Sequence, residues 1–171
     1  MADWLGINSS HIDSLCGEDD GGALADALNG TGLWKHFEYE THFFIIDLGK
    51  VYNINKVRAR SLTSEDPIDV NIYVSNDKDS WGAAVKTGIT TWQDTSTWIE
   101  IDVTGKKGRY LKVEIIDTEE FADNLQFGDA STPFTIFDVN GEVVSKRRAR
   151  SGLRIIENGD RLRGLRKDSP Y

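Results

Sequence analysis

Asp69-Val70-Asn71-Ile72-Tyr73-Val74-Ser75 is the stretch that decides the fold. Val70, Ile72 and Val74 fall on one side of an extended chain and Asn71, Tyr73 and Ser75 on the other. That period of two is the signature of a β-strand with one buried face. Toward the N-terminus the same alternation sets Val57 and Ala59 against Arg58 and Arg60. Further back, Phe44, Ile46 and Leu48 alternate with Phe43, Ile45 and Asp47, the pattern of a strand apolar on both faces. Toward the C-terminus, Ile99, Ile101 and Val103 alternate with Trp98, Glu100 and Asp102, and Leu111, Val113 and Ile115 with Tyr110, Lys112 and Glu114. Turn chemistry at Gly49-Lys50, Asn76-Asp77, Thr104-Gly105 and Asn140-Gly141 is expected to separate these strands. Short one-faced strands at this spacing predict two antiparallel sheets packed face to face. A helix is hinted at only within residues 11–28, where Asp19-Asp20 precede Ala23 to Leu28 and Gly21-Gly22 oppose it.

Composition narrows the functional classes. The 171 residues are 39% hydrophobic and 28% charged, with 16 glycines and 3 prolines, which excludes collagen, a transmembrane bundle and a low-complexity chain. The apolar run Phe43-Phe44-Ile45-Ile46 is far short of the ~20 residues that cross a bilayer. No signal peptide is visible at Met1-Ala2-Asp3-Trp4, and Cys16 is the single cysteine, so no intrachain disulfide forms. Charge is unevenly spread. The chain is −8 overall, yet residues 145–171 hold nine Lys or Arg against Glu157, Asp160 and Asp168. The body should therefore repel nucleic acid and anionic membrane, and the tail has a job of its own. No Gly-x-Ser-x-Gly elbow, His-Glu-x-x-His or phosphate-cradling loop is present, and His11, His36 and His42 lack metal-ligand spacing. The expectation is a chain that is not an enzyme.

Five segments, in order, resemble the discoidin family: coagulation-factor 5/8 type C domains and the related family-32 carbohydrate-binding modules. They are Ala27 to Trp34, His42 to Gly49 with its Asp-Leu-Gly ending, Ile54 to Arg60, Asp69 to Trp81, and Gly108-Arg109-Tyr110-Leu111-Lys112-Val113, followed by the closing Phe137 to Gly141. Each is weak alone; the ordered set, spanning about residues 24–142, is specific. The resemblance implies an all-β, galactose-binding-like jelly-roll sandwich of about eight antiparallel strands. The expected organisation is an N-terminal segment 1–23, the sandwich 24–144, and a basic arm or hairpin 145–171.

Family members often hold a structural Ca²⁺ beside an Asp-Gly loop. Here Asn29 stands at the Asp position and Ile136 at that of a family Glu, leaving Asn29 and Thr31 as a weakened candidate site. The resemblance also implies a carbohydrate site on loops at one end of the sandwich, where a ring stacks on a sugar face and fixed polar groups set orientation. The corresponding loops, 33–42, 60–68 and 117–132, offer His36, Arg60, Asn124, Phe127 and Trp34 as ligand candidates, with Trp92 and Trp98 as alternative rings. Trp34 and Trp81 match family positions that more often pack in the core.

The tail reads as a hairpin around Asn158-Gly159 whose aliphatic residues need a partner surface. Arg147, Arg148, Arg150, Arg154, Ile155, Arg161 and Arg163 suit docking on the acidic face of another protein subunit, including a copy of this chain, ahead of packing on the chain's own body and of nucleic acid. The sequence thus supports three readings, with an extracellular or virion location expected: a recognition module for carbohydrate, a component of a larger assembly such as a virion decoration, tail or fibre, or a secreted adhesion module cut from a larger protein.

Overall fold

A computed structural model describes residues 4–18, 22–34, 41–60, 69–92, 97–116 and 136–144. Their elements are β1 (Trp4–Gly6), a 3-10 turn (Ser9–His11), β2 (Ile12–Leu15), α1 (Leu24–Asn29), β3 (Thr41–Arg60), β4 (Val70–Ser75), β5 (Lys86–Ile89), β6 (Ile99–Ile116) and β7 (Ile136–Val143). The seven strands pair antiparallel in the order β1-β7-β3-β6-β4-β5, with β2 also paired to β3. The segment before residue 23 is thus built into the sheet through β1 and β2. The proposed hairpin at 145–171 lies outside the described residues.

The two long strands make the sandwich by bending. Phe44 pairs with Leu15 and Val113, and Ala59 with Phe137 and Ile99. Run straight, the stretch from Phe44 to Ala59 would span about 50 Å at ~3.3 Å per residue. Yet the rings of Phe44 and Phe137 meet edge to face with centroids 6.2 Å apart. The β3–β6 ribbon therefore doubles back, and one continuous sheet closes on its own apolar side. One layer holds β2, the first half of β3, the second half of β6, β4 and β5; the other holds β1, β7 and the remaining halves of β3 and β6.

The bend explains why two expected turns are not turns. Gly49-Lys50 lies inside β3 and Thr104-Gly105 inside β6, where the pairing register slips between Asp47 and Tyr52 and again between Ile54 and Lys56. Gly49 has φ 71°, the left-handed region that a bulge can demand and that glycine enters without strain. The Asp-Leu-Gly and Gly-Arg-Tyr segments meet at this point. Asp47 Oδ1 accepts from the Gly49 N–H at 2.7 Å, and Arg109 grips the same carboxylate through Nε and Nη2 at 2.7 and 2.6 Å. The Arg109 guanidinium, followed by the Gly49 amide, holds the Asp47 carboxyl below the usual carboxylate range against the opposing effect of burial. Next to it, a Cβ on Gly108 would sit 2.4 Å from Val74 Cγ1 and 2.8 Å from Ser75 O, so only glycine lets β4 approach. Asn140-Gly141, also expected as a turn, lies within β7. Asn76-Asp77 does turn, with the Ser75 hydroxyl accepting from the Asp77 amide.

Between the layers lies one apolar cluster in which Trp34, Phe44, Phe137 and Trp92 form an edge-to-face chain. Both indole N–H groups are satisfied in place, Trp34 by Gly17 O at 2.9 Å and Trp92 by Ile99 O at 3.0 Å. Among the described residues, no helix is long and apolar enough to cross a membrane.

Candidate functional site

The doubling of β3 brings its two ends to one pole. Thr41, the first residue of β3, pairs with Ile116, the last of β6. Val70 opens β4 beside Ile115, and Arg60 closes β3 beside Ile136, the first residue of β7. Segments 35–40, 61–68 and 117–135 connect these strand ends and lie outside the described residues, as do the candidates His36, Asn124 and Phe127. So do Arg147, Arg148, Arg150, Arg154, Ile155, Arg161 and Arg163 of the arm.

Arg60 is the candidate the structure places at this pole. Val57 and Ala59 are buried in the core, so the alternation turns Arg58 and Arg60 to the outer face. The Arg60 guanidinium lies 5.0 Å from the centroid of Trp98, the residue just before β6. Trp98 is half-exposed, and its indole also meets Arg58, whose Cζ is 4.1 Å from the ring centroid. From the β1 side, Trp4 approaches the same Arg58 Cζ at 4.1 Å. Arg58 is held by a fork: its Nε and Nη2 donate to Asp138 Oδ2 at 3.0 and 2.7 Å, and Asp138 Oδ1 accepts from the Ile7 amide at 3.3 Å. Trp4, Arg58, Trp98 and Arg60 thus form a ladder of alternating ring and cation that ends at the loop pole. Strand periodicity places Arg58 and Arg60 on one face; it does not foretell that a ring from β1 and a ring from the residue before β6 reach them.

The structure corrects two expectations about the rings. Trp34, named as a stacking ring, is fully buried and edge-on to Phe44 at 5.5 Å, so it belongs to the core and offers no face to a sugar. Trp92 is likewise buried. Trp98, among the described residues, does keep a half-exposed ring at this pole. Asp69 also stands at the root of the 61–68 connection, with a buried Oδ1 that has no hydrogen-bond partner among the described residues.

The residues of the family cation loop do not fit Ca²⁺. Asn29 brings no charge, its Oδ1 accepts from the Ser9 amide at 3.2 Å, and its Nδ2 donates to the Ser9 hydroxyl at 3.3 Å. The Thr31 hydroxyl donates to Asp26, whose carbonyl also accepts from the Thr31 and Gly32 amides. Both candidate side chains already serve to close the loop, and neither brings the carboxylate charge that a hard cation favours. Among the described residues no group of three His, Cys, Asp or Glu is placed to hold a metal.

Comparison with known proteins then assigns the family. The family model for the F5/8 type C domain matches residues 7–125. The chain belongs to the F5/8 type C (discoidin) family. No curated protein matches it. Among solved structures, this discoidin domain is similar to the C-terminal domain of a chitobiase from Bacteroides fragilis, at 21% identity and TM-score 0.58 over 84% of this chain and 96% of that one. It is also similar to CBM32-3 from a family 31 glycoside hydrolase of Clostridium perfringens, at 15% identity and TM-score 0.61 over 80% and 94%. A third, CpGH89CBM32-5 from Clostridium perfringens, was solved in complex with GalNAc-β-1,3-galactose and aligns at 16% identity and TM-score 0.57 over 74% and 91%. At these identities the likeness establishes the galactose-binding-like fold.

Proposed function

We propose that this discoidin domain is a non-catalytic carbohydrate-recognition module that holds its ligand at the pole where Arg60 and Trp98 meet. The observation that carries the reading is the position of Arg60: a guanidinium set against an indole at the end of β3, beside the connections that bear His36, Asn124 and Phe127. A planar cation with in-plane N–H donors suits neighbouring sugar hydroxyls, and rings suit the C–H face of a pyranose. The neighbour solved with GalNAc-β-1,3-galactose makes galactose-type sugars the first ligands to test. Titration calorimetry with that disaccharide and a glycan array should show saturable binding that Arg60→Ala abolishes. Absence of heat with every galactose-type sugar up to millimolar concentration would remove the reading.

A second reading concerns the opposite pole. β7 starts beside Arg60 and ends at Val143 beside Tyr52, so the chain enters residues 145–171 at the far end from the proposed sugar site. There Val143 and Val144 are exposed, and the exposed lysines Lys50, Lys106 and Lys107 flank the bend. This separation suits a module that recognises at one end and is anchored at the other, on an acidic protein face or in a virion-like or fibre-like assembly, placed outside the cell. Removal of residues 145–171 should leave sugar affinity unchanged and abolish salt-sensitive association in light scattering. A truncated chain that associates like the full one contradicts the anchor.

A further inference from the structure

The ladder running to Arg60 bears on the proposed sugar site, and the role it gives Trp98 rests on that carbohydrate-recognition reading. Arg60 is the last residue of β3, so the sheet restrains its backbone from one side only. A long arginine side chain has many rotamers, and each bond it makes to a ligand must overcome that freedom; Arg60 is already drawn in far enough that its Nε is buried, leaving the Nη edge for a ligand. Here the side chain meets a ring that is itself held. Asp138 fixes Arg58 with two bonds to one carboxylate oxygen, and the Arg58–Asp138 side chains are 20% and 10% exposed, so water competes weakly for the pair. Trp98 lies against this fixed guanidinium at 4.1 Å and against Arg60 at 5.0 Å. The contacts therefore lead from the fork, to the ring, to the rim.

We infer that Trp98 is a positioning residue for ligand recognition: its indole, seated on the Asp138-locked Arg58, holds the Arg60 guanidinium in the orientation in which its N–H edge meets the sugar. Trp4 plays a lesser part, because it touches Arg58, which Asp138 already fixes, and does not reach Arg60 through any other rung. Glu100 and Asp138, the acids that flank Arg58 in register, are engaged by Lys56 at 2.8 Å and by Arg58, so they serve the sheet face rather than the rim.

The full-length chain with GalNAc-β-1,3-galactose as probe tests this by calorimetry, with the Arg60 Nε–Hε resonance read by NMR in the free protein. Trp98→Leu keeps apolar bulk without a π-face, and Trp98→Tyr restores one. Trp98→Leu should weaken binding roughly five- to tenfold and move the Arg60 Hε resonance back toward the value of an unstacked arginine, while Trp98→Tyr stays within about threefold of the parent. Trp4→Leu should change affinity by less than about twofold. If Trp98→Leu binds as tightly as the parent, or if the Arg60 resonance does not respond to it, the positioning role is overturned while carbohydrate recognition stands. If the parent binds no sugar, the functional reading falls and takes this role with it. Should Trp98→Leu lose its fold by circular dichroism, the comparison of Trp98→Tyr with Trp98→Phe decides: both retain a ring and are expected to bind, and loss of binding in both folded variants overturns the role.

Discussion

The outer faces of the two layers solve one problem in two ways. Each sets a cation among aromatic rings and pairs it with a carboxylate, at similar exposure: 20% and 10% for Arg58 and Asp138, 19% and 16% for Lys112 and Glu114. On the β3–β6–β4 layer, Lys112 Nζ lies 5.1 Å from the ring centroids of both Phe43 and Tyr73. Its partner Glu114 also accepts from the Tyr73 hydroxyl at 2.7 Å and from Asn71 at 3.4 Å. Burial pushes the Glu114 carboxyl upward, but the three donors together hold it below its ordinary value, and Glu114 in turn raises the Tyr73 phenol. That network closes on itself. On the other layer the flat guanidinium of Arg58 comes within 4.1 Å of two rings while still forking onto Asp138, and the second ring passes the contact on to Arg60. An ammonium makes a knot; a guanidinium makes a ladder.

The largest expected effect is on the ladder's anchor. Asp138→Ala strands a half-buried guanidinium and the Ile7 amide, and should cost about 3 kcal/mol in urea unfolding, the low end for a broken buried pair because some exposure remains. Breaking the knot should cost less. Glu114→Ala leaves Lys112, Tyr73 and Asn71 without their shared acceptor, for about 2 kcal/mol, and Glu114→Gln should recover roughly half by keeping an oxygen for Tyr73. If the two alanine variants are reversed in order, the contrast between ladder and knot is mistaken.

Smaller still is the acid limb. Asp47 and Glu114 have folded pKa values below their unfolded ones, so each adds stability that is fully present above the unfolded value near ~4 and is lost as pH falls through the folded one. Asp47→Asn should flatten the loss of stability below about pH 4 and change it by less than about 1 kcal/mol at neutral pH, since Arg109 is 43% exposed. The smallest expected effect is that of chelation. With Asn29 and Thr31 engaged by Ser9 and Asp26, EDTA should leave the Tm unchanged, and a downward shift would reveal a bound cation.

Periodicity made the strands legible because each layer has one dry face, and residues such as Val70 and Ile72 had nowhere else to go. It misread Gly49 and Gly105, since a bulge and a turn draw on the same left-handed glycine and a sequence does not say which. Of the candidate site, the outward placement of Arg60 was legible from its alternation with buried Ala59. Trp34 was misplaced because a buried ring and a sugar platform are the same residue type, and only the core contact with Phe44 separates them. The ladder was illegible, because Trp4, Trp98 and Asp138 come from three distant parts of the chain and meet Arg58 only through the sheet register.

The most direct test maps where the ligand touches. The five tryptophans give five indole N–H signals, of which those of Trp34 and Trp92 report the core and that of Trp98 the loop pole. On titration with GalNAc-β-1,3-galactose, the Trp98 indole and the Arg60 Nε–Hε signals should shift together and saturate, with those of Trp34, Trp92 and the amides of Lys50, Lys106 and Lys107 at the far pole left in place. Shifts gathered around those three lysines, or no shift at any sugar concentration, would contradict the account.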